Sequence, residues 1–211
     1  MTGKGDARAI TVPAVVLVVT ALLAARDRLV VGEAGLVEAL NGNVVLGGFP
    51  VEALLAGVMV FGTLPGVVAV AVGVALLVKP WQPAVGVLAA GVAGWVVSGW
   101  LKDVVDRGRP VEFLDPRTLD ISGGYAAITG AGYPSGHTTV AFAIATVVAP
   151  WVAARSRWVP WVVAATVGIA RISVAAHFPL DVVGGAALGM LIGALVNRAL
   201  PDPADTRPSR A

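Results

Sequence analysis

The chain has 211 residues, 57% of them hydrophobic and only 13% charged, with a formal net charge of +2. A mean hydropathy of +0.84 places it outside ordinary soluble domains and among integral membrane proteins, with the bilayer as partner and no nucleic-acid partner expected. It contains no cysteine, which excludes a disulfide framework and a thiolate metal site.

A spanning helix needs about 20 predominantly apolar residues. Runs of roughly that kind occupy 9–25, 53–78, 82–101, 138–154, 158–175 and 180–199. They predict an all-α integral membrane fold, a single six-span domain over 1–200, with a polar, Pro-rich and disordered cytoplasmic tail at 201–211. Lys4 and Arg8 precede the first run in a way that also suits a cleaved secretory signal, but the run stays apolar to its end and reads as a retained span. Loop 26–52, with Leu29, Val30, Val31, Leu36, Val37 and Leu40 beside Glu33 and Glu38, reads as a connection or as a short helix on the outer interface. Pro65 predicts a kink within the second run. Lys79 to Pro83 predicts a tight turn into the third, which Trp81 and Trp100 bracket as interfacial anchors; Trp151, Trp158 and Trp161 do the same around Arg155 and Arg157. Gly123, Gly124, Gly130 and Gly132 would make loop 102–137 a mobile lid. Gly184, Gly185, Gly189 and Gly193 in the last run permit close helix approach in lipid.

With the N-terminus inside, six alternating spans place eight of the fifteen basic residues in the cytoplasm, and seven outside with ten of the thirteen acids. Four of those seven, Lys102, Arg107, Arg109 and Arg171, belong to polar clusters that close apolar runs. Setting them aside sharpens the positive-inside bias and predicts a multi-pass protein of the cytoplasmic membrane whose polar clusters face the extracytoplasmic side.

Those clusters carry the chemistry. Lys102 and Arg109 stand seven apart, so a helix continuing past the third run would present both on one face, a fork and a point charge for phosphate oxygens; alone, both would equally suit snorkelling at a membrane edge. Ser135 is placed to cap the fourth run, Gly136 permits close backbone approach, and the free N–H groups of that helix start face an anion. His137 in the first turn is poised to give a proton. Arg171 and His177 are six apart and reach one ligand only if the fifth run ends or bends between them. Pro179 suits the start of a new helix, and Asp181 behind it is placed to accept a hydrogen bond from one nitrogen of His177. The pattern matches the orienter, base and nucleophile logic of triads, or a buried structural His–Asp pair. Six alternating spans bring all three clusters out on the same side, at the outer membrane–water interface.

At these residues the chain resembles the type-2 phosphatidic acid phosphatase superfamily. Lys102, Arg109 and Pro110 match its first motif; Pro134, Ser135, Gly136 and His137 its second; Arg171, His177 and Asp181 its third. Ala170 stands where that family usually has Ser, which implies an altered phosphate pocket. The resemblance implies hydrolysis of a lipid phosphate or diphosphate with no metal and no cofactor. His177 would attack phosphorus to form a phospho-histidine, Asp181 would orient it, and His137 would protonate the leaving oxygen and later activate water. Lys102, Arg109, Arg171, Ser135 and Gly136 would bind the phosphoryl oxygens. Polyprenyl diphosphate, phosphatidic acid and phosphatidylglycerol phosphate are the substrates it suggests. A membrane protein that binds or transports an anion or lipid without hydrolysis is the alternative.

Overall fold

The computed structural model describes residues 3–26, 28–41, 45–46, 49–50, 57–78, 81–115, 117–119 and 129–202. Lys79 and Pro80 of the expected turn, the lid glycines Gly123 and Gly124, and residues 203–211 of the expected tail lie outside them. The described chain is helical: α1 (Gly3–Ala24), α2 (Glu33–Leu40), α3 (Leu64–Leu77), α4 (Gln82–Val105), α5 (Pro110–Phe113), α6 (Gly136–Val148), α7 (Val159–Ser173) and α8 (Pro179–Ala199). Val45–Leu46 and Phe49–Pro50 add a minimal antiparallel pairing.

Three segments are long and apolar enough to cross a membrane: Ala7–Ala24, Gln82–Phe113 and Pro179–Ala199. The helices α3, α6 and α7 are shorter, with 14, 13 and 15 residues. At 1.5 Å per residue they reach about 20–23 Å, against a hydrocarbon core of about 30 Å. Proline explains each shortening. Pro65 does not kink a continuous helix as expected; it lies in the first turn of α3, where Thr63 Oγ1 caps Gly66 N at 3.2 Å, and a separate 3-10 turn, Val60–Gly62, precedes it. Pro150 falls in the 3-10 turn that closes α6, and Pro160 in the first turn of α7. Proline lacks the N–H that an interior position requires but is preorganised for a first turn.

The expected continuation of the third run as far as Arg109 is also corrected. Helix α4 stops at Val105 because Asp106 turns left-handed at φ 46°, and Arg109 is extended (φ −96°, ψ 166°) ahead of Pro110. A residue before proline is disfavoured in the α region by the ring, in keeping with the extended Arg109.

Helix α6 sits at the centre, packed on α8, α4 and α7, while α1 lies along α8 and α3 along α4. Burial from lipid gives no hydrophobic gain, so close dispersion contact and interhelical hydrogen bonds hold such a bundle. The contact of α6 with α8 depends on Gly185, Gly189 and Gly193, where a β-carbon would run into Ser135, Thr139 or Ala143 backbone or the Thr146 side chain. Asn197 Nδ2 donates to Thr146 O at 2.9 Å, and Tyr133 and Thr20 hydroxyls meet at 2.8 Å. Outward, α1 exposes Val12, Val15, Val19 and Leu22, and Trp81 and Trp100 stand exposed near the two ends of α4. Trp161 instead packs on Phe142, with ring centroids 6.2 Å apart. Residues 33–40 form a helix that turns inward, burying Glu33 and Val37 against the α7–α8 end of the bundle.

Candidate active site

A cavity of about 690 Å³ is lined by Lys102, Arg109, Gly136, His137, Arg171 and His177, with Gly62–Pro65 and one face of α4, including Trp95 and Ser98, forming further wall. Five charged or imidazole side chains from the three sequence clusters therefore meet in one space. Each arrives by a different local device.

Lys102 projects from the last turn of α4, and Nζ donates to the carbonyls of Ala131 (3.1 Å) and Gly132 (3.2 Å). Arg109 comes from the extended segment beyond, donating to Ala176 O at 2.9 Å and Ala131 O at 3.4 Å. The two cations are thus brought together by a shared carbonyl, not by a common helix face.

Ser135 is the N-cap residue of α6, but its side chain makes no cap bond. It is fully buried and is not among the cavity-lining residues; its Oγ accepts from Thr138 Oγ1 at 3.0 Å and its N donates to Asp181 O at 2.9 Å. Ser135 therefore fastens the start of α6 to the start of α8, leaving Gly136 and His137 to face the cavity. Gly62 closes on His137 so tightly that a β-carbon there would lie 2.7 Å from its Cα, Cβ and O.

Helix α7 ends at Ser173, and Ala175 adopts φ 50°. The amides of Ala176 and His177 both donate to Arg171 O at 3.2 Å, so the chain folds back and returns His177 to the side of Arg171. The break expected between these two residues is present. Arg171 Nη1 contacts Met59 Sδ at 3.3 Å. Ala170 is fully buried against Met59 and Val174 and is not part of the cavity wall.

Pro179 opens α8, and Asp181 at its third position accepts from Phe178 N at 2.9 Å. The other carboxylate oxygen accepts from Arg107 Nη1 at 2.8 Å. His177 Nδ1 faces Asp181 Oδ2 at 3.7 Å, too long for a hydrogen bond, and has no other partner among the described residues. The ring is therefore aligned with the carboxylate but not yet joined to it, and Nε2 is left for the cavity.

Electrostatics make both histidines neutral in the empty site. Burial and then Arg171, Lys102 and Arg109 lower the His137 pKa to about 4. Burial and then Lys102, Arg171, Arg109 and His137 hold His177 well below its ordinary value. A phosphate dianion among the three cations would cancel much of that field and favour a proton on His137. The empty site thus presents two neutral imidazoles beside three cationic side chains.

Three residues of this region lay outside the sequence-level candidates: Arg107, Glu33 and Gly62. Arg107 stands inside the first cluster, and Glu33 is an acid within a Leu- and Val-rich stretch. Those oddities of placement were the available signal.

A family model described as the PAP2 superfamily matches residues 81–204. The lipid A 1-phosphatase of Porphyromonas gingivalis is 46% identical over 66 residues, which cover 30% of this chain and 15% of that protein; the chain matches only a small part of that relative's length. Among solved structures, LpxE of Aquifex aeolicus superposes with a TM-score of 0.65 at 21% identity, over 79% of this chain and 94% of that one. A transmembrane PAP2-type phosphatidylglycerolphosphate phosphatase from Bacillus subtilis gives 0.60 at 24% identity, over 94% of this chain and 98% of that one. Both likenesses establish a shared fold.

Proposed function

The chain belongs to the PAP2 superfamily, and from that premise we propose that it is an integral-membrane phosphatase that cleaves a lipid phosphate or diphosphate through a phospho-histidine. The observation that carries the reading is the meeting of His177, His137 and three cationic side chains on one cavity. In this reading His177 Nε2 attacks phosphorus in line with the lipid oxygen. The N–P bond forms as the P–O bond breaks, and the departing oxygen takes the proton of His137. Water then attacks the phospho-histidine, giving its proton to His137, and the N–P bond breaks to release inorganic phosphate and restore His177. Lys102, Arg109, Arg171 and the Gly136 amide stabilise the charge on the phosphoryl oxygens, with no metal needed for that work.

Six spans, with the site at the extracytoplasmic face of the cytoplasmic membrane, remain the topology that accords with the charge distribution. In it α3, α6 and α7 complete their crossings with the flanking 3-10 turns. Candidate substrates are polyprenyl diphosphate, phosphatidic acid and phosphatidylglycerol phosphate, to which the Porphyromonas gingivalis relative adds lipid A. Their shared chemistry is a phosphate ester or anhydride at the head of an apolar chain, suited to polar groups at one end of the bundle. Clustering at one end speaks against a conducting path, which requires charges distributed along the spans.

Phosphate release from each lipid in detergent, with EDTA present, tests the proposal against His177→Ala and His137→Ala. The wild type is expected to release phosphate from at least one lipid and His177→Ala from none. An inactive wild type, or a fully active His177→Ala, would overturn it.

A further inference from the structure

Behind His177 lies a row of buried charge. Arg107 is wholly buried and lies between two carboxylates, with Nη2 2.5 Å from Glu33 Oε2 and Nη1 2.8 Å from Asp181 Oδ1. Its guanidinium carbon stands 4.9 Å from the centre of the Phe178 ring. Glu33 is only 5% exposed and also accepts from Val30 N at 2.9 Å and Leu180 N at 3.0 Å. Leu180 is in the first turn of α8, next to Asp181. One carboxylate thus holds both the arginine that grips Asp181 and the backbone that carries it.

Glu33 changes the charge count of the row. Arg107 and Asp181 alone form a neutral pair that presents little field to an imidazole. Glu33 brings the row to a net −1, set against the cations Lys102, Arg109 and Arg171, which act on His177 from the cavity side together with the neutral His137. A buried ion pair is weak evidence for stability, since desolvation offsets most of the attraction. Its return here is orientation and field at one ring nitrogen.

We propose that Glu33, acting through Arg107, is a positioning residue of the active site, holding Asp181 aimed at His177 Nδ1 to stabilise the positive charge that arises when Nε2 bonds phosphorus. This rests on His177 as the nucleophile. Removal of an outer-shell partner of a metal-ligating histidine costs about 10- to 100-fold in affinity or activity; a loss of the same order is expected here, and it falls on kcat because the ring charge exists only after attack begins.

The test compares wild type, Glu33→Gln and His177→Ala as full chains in detergent, with elution profile and Tm recorded for each. Glu33→Gln should lower kcat by about 10- to 100-fold while KM stays within about twofold, and the phosphoenzyme trapped by acid-free quench in the first turnover should fall in parallel. A folded Glu33→Gln with kcat within about threefold of wild type, or one whose loss lies mainly in KM, overturns the proposal. If Glu33→Gln does not fold, Arg107→Lys, which keeps the charge and loses the fork, is judged by the same criteria. Failure of both to fold would assign the row to folding alone and overturn the proposal. An active His177→Ala removes the nucleophile reading itself; an inactive one beside an unchanged Glu33→Gln removes only the role of Glu33.

Discussion

His137 and His177 line the same cavity in unlike surroundings. His177 is only 2% exposed, backed by Asp181 and the row of charge behind it, and its backbone is pinned by Arg171 O. His137 sits at the start of α6 against Gly62, and the groups that act on it are the cations Arg171, Lys102 and Arg109. The same cations, Lys102, Arg171 and Arg109, act on both rings; what sets the two apart is the carboxylate behind His177, which would support positive charge formed by attack. That contrast supports the proposed division of labour, with His177 between α7 and α8 as nucleophile and His137 in α6 as acid.

The largest effect should come from erasing one side of this comparison. Wild type given labelled lipid phosphate should carry label that acid removes and base does not, and His177→Ala should carry none; label retained on the variant would break the assignment. His137→Asn should lose about 100- to 10,000-fold on a lipid substrate. With an aryl phosphate, whose leaving group needs no proton, the first turnover should be spared and the phosphoenzyme should then accumulate, since water lacks its base. Equal loss on both substrates at the first turnover would contradict the acid role.

Smaller effects sharpen the contrast. Gly62→Ala drives a β-carbon toward His137, and misplacement of this order should lower kcat by about 10- to 100-fold with phosphoenzyme hydrolysis slowed as well. Stability should follow pH with a definite sign. The folded pKa of His137, about 4, lies below the ordinary 6.5, so between these values the unfolded chain binds more protons and stability rises with pH. The wild-type Tm should be fully developed above about pH 6.5 and fall toward pH 4, and His137→Asn should show a shallower fall; parallel curves would argue against a buried neutral ring. Ala170→Ser should be the mildest change, shifting kcat/KM by less than about threefold. Residue 170 packs on Met59 away from the cavity, and a buried hydroxyl contributes about 1 kcal/mol only where it finds a partner.

Much of this site was legible in the order of residues. The spacing from Arg171 to His177 and the proline at 179 require a broken helix, and the turn at 174–178 supplies it. Membrane residence was legible because apolar length is a one-dimensional property. The Glu33–Arg107–Asp181 row was not, because its ends lie 148 positions apart, being residues 33 and 181, and periodicity carries no information about such pairing. The helix expected through Arg109 fails for a reason that local sequence contains: Gly108 and Pro110 mark a stop that overrides the seven-residue spacing. Shared placement survived the wrong local geometry because the carbonyls at 131 and 132 gather Lys102 and Arg109 from separate elements.

Those two carbonyls bear on the end of the catalytic cycle. They already satisfy Lys102 and much of Arg109 in the empty cavity, so a departing phosphate ion does not strand bare ammonium and guanidinium groups in a low-dielectric space. In the proposed reaction, capture and release of phosphate then become an exchange of oxygen partners instead of a full desolvation and resolvation. On that reading, the main chain at 131 and 132 takes back the cations each time phosphate leaves.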